Sequence, residues 1–323
     1  MPLTRRALAA GLLAAPLAAP LAVRRASAQG WPDRPLRIIV SFPPGGSSDL
    51  LARAVGRELT AAFGQPVVAD NRAGANGTIA AGLVAQAPPD GLTIGLVAIG
   101  HAVNPLLYRN LSYDTDRDLA PLSLLARYPQ TVLVAPGLPV QDIGGLIRLG
   151  RQRMLTYASG GNGSSQHLAG ALFASLAGLR LNHVPYRGGA PALLDVMAGT
   201  VDMIITQPTL DQLRNGEVRA VAVTSAQRLP WAPTLPTLAE AGLAGYESVA
   251  WYGLVAPRGL PPEVAARLSQ AIMAAMRSPA VRDVVATQGG EPVGSTAAAF
   301  ASYIQAERQR YAPLIPAAGI RSD

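Results

Sequence analysis

The feature that most constrains this chain is a recurring unit: a short apolar strand, a turn rich in glycine, and a helix with one apolar face. Residues 36–40 are mostly apolar with β-branched members, bounded by Pro35 before and by Pro43-Pro44-Gly45-Gly46 after, which predicts a strand feeding a turn. Leu50, Leu51, Ala54, Val55 and Leu59 then recur at helical spacing until Gly64. The unit repeats with a strand at 66–69, a glycine loop at 74–77, a helix at 78–87 and a strand at 92–99. Alternation of this kind predicts a parallel sheet flanked by helices.

After the polar cluster Asp114-Thr115-Asp116-Arg117-Asp118, an extended stretch at 122–134 can carry the chain into a second body. There the series resumes, with strands at 155–158, 181–184, 203–205 and 218–224 and helices at 164–176 and 190–197. The apolar stretch 249–255 reads as a return crossing, and helices at 262–277 and 296–311 end the chain on the first body. At 323 residues the chain exceeds the length at which one core keeps growing. The expected architecture is α/β with two lobes, 29–125 plus 250–323 and 126–249, joined by two crossings that make a hinge. Ligands of open α/β sheets bind at the carboxyl ends of the strands, so the cleft between the lobes is the expected site.

Residues 1–28 are set apart from that fold. Arg5 and Arg6 precede an apolar run at 7–23, and Ala26-Ser27-Ala28 offers a cleavage site, the pattern of an export signal. Pro16 and Pro20 break the run, which is also shorter than the ~20 residues that span a bilayer. Thr4-Arg5-Arg6-Ala7-Leu8 leans toward the twin-arginine route. With no cysteine to lipidate or to pair, the exported chain is expected to be a free monomer in a periplasm.

Composition removes several chemistries. The formal charge of +7 hints at anionic partners, yet Arg5, Arg6, Arg24 and Arg25 leave with the signal, and 23 basic residues then face 20 acidic ones. No basic run interleaved with aromatics is present, so nucleic acid is not an expected partner. The sequence has no lysine, which excludes a Walker A loop and Schiff-base catalysis, and no cysteine, which excludes thiol catalysis and thiolate metal sites. His101, His167 and His183 do not pair at a helical metal spacing, so neither metal nor cofactor is expected.

Strand-to-helix turns carry the candidate chemistry, because the first N–H groups of a helix lack partners and the helix dipole favours negative charge. In the first lobe Pro44, Gly45, Gly46 and Ser47 form one such seat, with Asp49 in the first helical turn one turn before Arg53; Ala75 and Asn76 lie in another. In the second lobe Ser159, Gly160, Asn162 and Ser164 occupy the matching position. An ordinary capped turn is the alternative for any one of these loops. Opposed seats suit a small ligand with two polar ends. Tyr186 can cover an apolar ligand body and Arg187 can attract a carboxylate, a surface arginine beside a packed tyrosine being the plain alternative. His167 follows Ser164 by one turn; a Ser/His hydrolase is the enzymatic reading, and a helix-stabilising or cleft-lining histidine the other. With no G-x-S-x-G elbow, the chain is read as a non-enzyme, and His101 and His183 as structural.

Longer stretches point further. FPPGGSSDLLAR, NRAGANGTIAA, APPDGLT, YASGGNGSSQHLAG, HVPYRGGAPALLDVMAGTVD, VRAVAVTSAQR, LPTLAEAGLAGYES and WYGLVAPRGLP follow one another along nearly the whole chain after residue 28. In these the sequence resembles the Bug-type receptors, the periplasmic solute-binding proteins of tripartite tricarboxylate transporters. The resemblance implies a type II periplasmic-binding fold that closes on its ligand, recognition of a carboxylate (the family's ligands being dicarboxylates, tricarboxylates, acidic amino acids and aromatic acids) by backbone amides and water, and inner-membrane permease subunits as partners. It places the loops at 44–49, 75–77 and 159–164, with Tyr186, along the cleft. A periplasmic sensor serving a membrane kinase is the alternative role. Two positions depart from the family pattern: Thr206-Gln207 stands where Asp-Asn is common, and Ala171 where glutamate is common. Both changes remove negative charge, which predicts a plain carboxylate rather than an amino acid and makes Thr206 a candidate ligand residue.

Overall fold

The computed structural model describes residues 30–207, 212–213 and 215–321, and the expected export segment lies outside them. From Pro32 onward the chain forms one compact unit. Strand β1 (Leu36–Val40) buries Leu36, Ile38, Ile39 and Val40. It feeds helix α1 (Ser47–Phe63), whose buried stripe includes Leu51, Val55 and Leu59. Leu50, read from the spacing as part of that stripe, is instead 44% exposed. Gly64 ends the helix in the left-handed conformation, its N–H donating to Thr60 O, a geometry that glycine adopts without a Cβ penalty.

Strands β2 (Val67–Asn71) and β3 (Thr93–Val97) flank β1 in parallel, with helix α2 (Thr78–Ala85) on the connection between them. Helix α3 (Ile99–Leu107) then leads to β4 (Leu119–Pro129), and after Gln130 strand β5 (Thr131–Val134) opens a second sheet. That sheet collects β6 (Leu155–Ser159), β7 (Leu181–Pro185), β8 (Met203–Thr206) and β9 (Arg219–Val223), in the order β7-β6-β8-β5-β9. Helices α4 (Ile143–Gln152), α5 (Ser165–Ala177) and α6 (Gly189–Met197) belong to this part of the chain. The chain returns along β10 (Val249–Pro257), then α7 (Pro262–Ala275), α8 (Pro279–Thr287), β11 (Glu291–Pro292), α9 (Ala297–Tyr311) and α10 (Leu314–Ala317). The first sheet runs β11-β4-β10-β3-β1-β2.

Both sheets are mixed, not parallel throughout as the alternation predicts. β10 lies antiparallel to β3 and β4, β11 to β4, and β5 to β8 and β9. None of these antiparallel pairs is joined by a single strand-helix-strand unit; β4 and β10 lie side by side in the first sheet and run antiparallel, so that the chain leaves for the second sheet at the end of β4 and returns at the start of β10. Where they meet the second sheet, Gln130 N–H donates to Thr224 Oγ1 (2.9 Å), Thr224 N–H to Gln130 O (2.9 Å) and Ser248 N–H to Thr224 O (3.0 Å). The hinge is therefore cross-braced by backbone.

Two apolar cores follow the sheets. In the second lobe Val132, Leu133, Tyr157, Phe173, Ile204 and Tyr246 pack together, and the buried Tyr246 hydroxyl donates to Ala169 O at 2.9 Å. In the first lobe Trp251, Phe300, Ile304 and Tyr311 join Val84 and Val97. Helix α5 serves both, since Leu168 and Ala171 enter the first-lobe cluster while Ala169, Phe173 and Ala177 enter the second. This places Ala171 in an apolar contact between lobes.

Candidate functional site

A cavity of about 650 Å³ opens between the lobes. Its first-lobe wall is the turn from Ser41 to Ser48, Asn76 and Gly77, the start of α3 from Ala98 to His101, and the crossing residues Ala250, Trp251 and Tyr252. The second-lobe wall is Gly160, Ser164 to Gln166, Arg187 to Pro191, and Thr206 with Gln207. Phe42 and Tyr252 meet edge to face at 5.8 Å and give the first-lobe side an aromatic flank.

Four helices direct their N-terminal ends at this space, and three have no side-chain cap: α1 at Gly46, α3 at Ala98 and α6 at Gly188. Gly188 has φ of 116°, where a larger residue would be strained. The fourth, α5, is capped by Ser164 Oγ, which accepts from His167 N–H at 3.3 Å. Uncapped first-turn amides are donors left for solvent or a bound anion. Among the described lining residues Arg187 is the one carrying a full charge at neutral pH, and none is aspartate or glutamate. Arg187 is exposed and makes no ion pair among the described residues.

Of the residues singled out from sequence, Pro44, Gly45, Gly46, Ser47, Asn76, Gly160, Ser164 and Thr206 stand on the wall. Asp49, Ala75, Ser159, Asn162, His167 and Tyr186 do not, and in most the polar atoms are used within the fold. Asp49 is 3% exposed and accepts from Gly45 N–H (3.0 Å), Arg53 and Asn71 Nδ2 (3.0 Å). Burial pushes its pKa up, but those hydrogen bonds with the Arg53 charge outweigh it and hold the carboxyl below its usual range. It is a buttress that shapes the turn. Tyr186 donates to Asp195 Oδ2 at 2.5 Å and packs against the second-lobe core. Asn162 Nδ2 reaches Arg321 O at 3.3 Å.

The histidines explain why the Ser/His pair is not assembled. His167 Nδ1 accepts from Gly163 N–H at 3.1 Å, and its ring stacks on His183 with centroids 3.8 Å apart at 10°. His183 Nε2 in turn shares a 2.6 Å hydrogen bond with the buried Ser159 hydroxyl. Burial, with the neighbouring His183, lowers the His167 pKa to about 3, and burial lowers that of His183 to about 4. Both rings are neutral at pH 7. No hydrogen bond joins the Ser164 hydroxyl to either ring among the described residues. His101, read from sequence as structural, is 95% buried yet forms part of the cavity wall.

Sequence reasoning passed over the start of α3, because 92–99 reads as one apolar strand whereas β3 ends at Val97. Gly100 was the available signal: a Cβ there would lie 2.3 Å from Asn76 O, so only glycine lets the two turns touch. Gln166 was also missed. Its Oε1 accepts from Gly160 N–H (2.6 Å) and its Nε2 donates to Thr206 Oγ1 (2.7 Å), tying the loop after β6 to the end of β8. Of the two positions that depart from the family pattern, Thr206 faces the cavity and Ala171 does not.

Two α/β lobes around a cleft walled by helix N-termini define a solute-binding protein of the two-lobe type. The chain belongs to the tripartite tricarboxylate transporter receptor family, whose family model, described as "Tripartite tricarboxylate transporter family receptor", matches residues 51–320. A protein encoded in a tcbD-tcbE intergenic region of Pseudomonas sp. strain P51 is 40% identical over 96% of this chain and 94% of its own length. Protein BugT of Bordetella pertussis is 34% identical over 91% of this chain and 92% of its own. Among solved structures, Rpa4515 of R. palustris with adipate superposes with a TM-score of 0.84 at 38% identity, covering 90% of this chain and 99% of that one. MatC of Rhodopseudomonas palustris with bound malate gives 0.80 at 32% identity, covering 88% and 100%. No helix among the described residues is long and apolar enough to cross a membrane, and no group of side chains among them could hold a metal ion.

Proposed function

We propose that this chain is an exported, periplasmic receptor that captures a small carboxylate between its lobes and delivers it to the membrane permease of a tripartite transporter. The observation that carries the reading is the wall itself: uncapped N-termini of α1, α3 and α6 converge on one cavity whose described lining holds Arg187 as its charged group and no carboxylate. Such a wall attracts an anion and offers an ammonium group no carboxylate partner. The adipate and malate bound by the related structures support this ligand class. Gly46, Ser47, Ser164 and Thr206 are the ligand contacts on this reading, since Asp49 and Gln166 already hold the Gly45 and Gly160 amides, with Arg187 the long-range attractor. Amide donors are indifferent to what lies behind a carboxylate, so the aromatic flank of Phe42 and Tyr252 is the part of the wall that tells ligand bodies apart.

A thermal-shift screen tests it, using malate, adipate, citrate and benzoate beside aspartate and glutamate. A true ligand at a hundred times its dissociation constant adds about 2.7 kcal/mol to stability. The expected result is stabilisation by at least one plain carboxylate and a weaker effect of its amino analogue. Absence of stabilisation by every carboxylate would refute the reading.

A further inference from the structure

We propose that Asn76 is a latch that holds the lobes closed over the cleft, acting on the second lobe and not on the ligand. The inference rests on the receptor reading only in that capture and closure are linked. Asn76 lies in a turn of 3-10 helix (Ala75–Gly77) at φ 49° and ψ 34°, and Ala75 before it has φ of 45°. Both are non-glycine residues in the left-handed region, a conformation retained where surrounding contacts enforce it. The enforcing contacts are explicit. Asn104, 1% exposed on α3, donates through Nδ2 to Asn76 O at 3.1 Å and accepts at Oδ1 from Asn76 Nδ2 at 2.8 Å. The pair fixes the Asn76 amide within the first lobe. The same Nδ2 then donates at 3.1 Å to Gly163 O, 87 residues away in the second lobe.

Gly163 is built to receive it. Its φ is +73°, where an L side chain is strained, and a Cβ there would fall 2.4 Å from Leu107 Cδ1 and 2.7 Å from Asn76 Nδ2, so two first-lobe side chains close directly on its backbone. Its own N–H is held from behind by His167 Nδ1. One residue is thus steadied at its N–H by the second lobe and grasped at its carbonyl by the first. Because this hydrogen bond exists only when the lobes are together, it shifts the open–closed equilibrium without touching what is bound. A ligand contact would be lost to different degrees for different ligands. A latch costs every ligand the same factor.

The chain has no cysteine, so exposed Arg57 on α1 and Arg151 on α4 can be replaced by cysteine and spin-labelled without background. Distances between the labels are recorded by pulsed electron resonance, ligand-free and with saturating adipate. Asn76→Gly keeps the left-handed turn and deletes the donor; Asn76→Asp sets an acceptor against Gly163 O. The expected result is a closed-to-open ratio reduced roughly fivefold to tenfold by Asn76→Gly, the worth of one neutral hydrogen bond, and reduced further by Asn76→Asp. Unchanged distance distributions in both variants would overturn the latch, as would a wild-type chain that never shows the closed distance. A loss of affinity that differs between chemically distinct carboxylates would return Asn76 to the ligand contacts. Failure of adipate and of every other carboxylate in the screen to bind bears on the receptor reading alone, since the ligand-free ratios still report the latch.

Discussion

Lowering the pH from 7.5 to 5.0 should destabilise this protein through two buried histidines, by an amount the structure allows to be worked out. His101 has a pKa lowered to about 4, by burial first and then by the Arg308 charge, and His167 one lowered to about 3. An unfolded imidazole titrates near 6.5. Each group binds its proton more weakly when folded, so its contribution to stability is complete above pH 6.5 and is lost as the pH falls. At pH 5.0 the unfolded chain has taken up both protons and the folded chain neither, which costs about 2 kcal/mol per group and about 4 together. His183 adds in the same direction from a less buried position. Glu307 opposes it, since burial raises its carboxyl pKa and protonation relieves that burial, whereas Asp49, Asp116 and Asp202, held below their usual range, stay ionised in this window. Urea unfolding followed by tryptophan fluorescence is the assay. With m of roughly 3 kcal/mol/M, the midpoint should fall by about 1 M between the two pH values. His101→Gln and His167→Gln should each reduce that fall by the part worth about 2 kcal/mol, whatever they do to stability at pH 7.5, and the remainder belongs to His183. A midpoint unchanged between pH 7.5 and 5.0, or a fall that the two substitutions together leave undiminished, would refute the argument.

Two further substitutions separate packing from binding. Gly253→Ala would put a Cβ 2.1 Å from Phe300 Cζ in the middle of β10; it should cost about 3 kcal/mol in urea unfolding, with partial recovery when combined with Phe300→Leu. Asp49→Ala leaves the Gly45 amide without its acceptor and Asn71 Nδ2 with Phe42 O alone, and should lower stability by about 1–2 kcal/mol while weakening ligand binding in calorimetry. Arg53→Ala, which removes the half-exposed partner of that carboxylate, should do much less.

Local signals made the scaffold legible. Pro35 and the glycine pair at 45 and 46 bracket β1, Gly64 stops α1, and Gly178 stops α5, so strand, turn and helix announce themselves in order. The turns of the wall were legible for the same reason, because an anion seat on a helix end is a property of a few consecutive residues. Direction was not. Asp49, His167 and Tyr186 are polar and sit in or beside the right loops, but Gly45, Gly163 and Asp195 claim their polar atoms. Which way a side chain turns is decided by partners that the chain supplies elsewhere. The antiparallel strands were hidden similarly, since β4 and β10 carry the same apolar composition whichever way they run.

The place of β10 in the first sheet, between β4 and β3, sets an order of assembly. The five strands of the second lobe lie in one continuous stretch, 131–223, and can find one another as soon as that stretch is available. The first lobe has no such freedom: without residues 249–257 its sheet is two fragments, and without Phe300 the face of β10 at Gly253 is bare. A chain supplied from its N-terminus therefore completes its inserted half before the half that begins it, and a truncation just short of β10 should leave one folded lobe carrying an unfinished one.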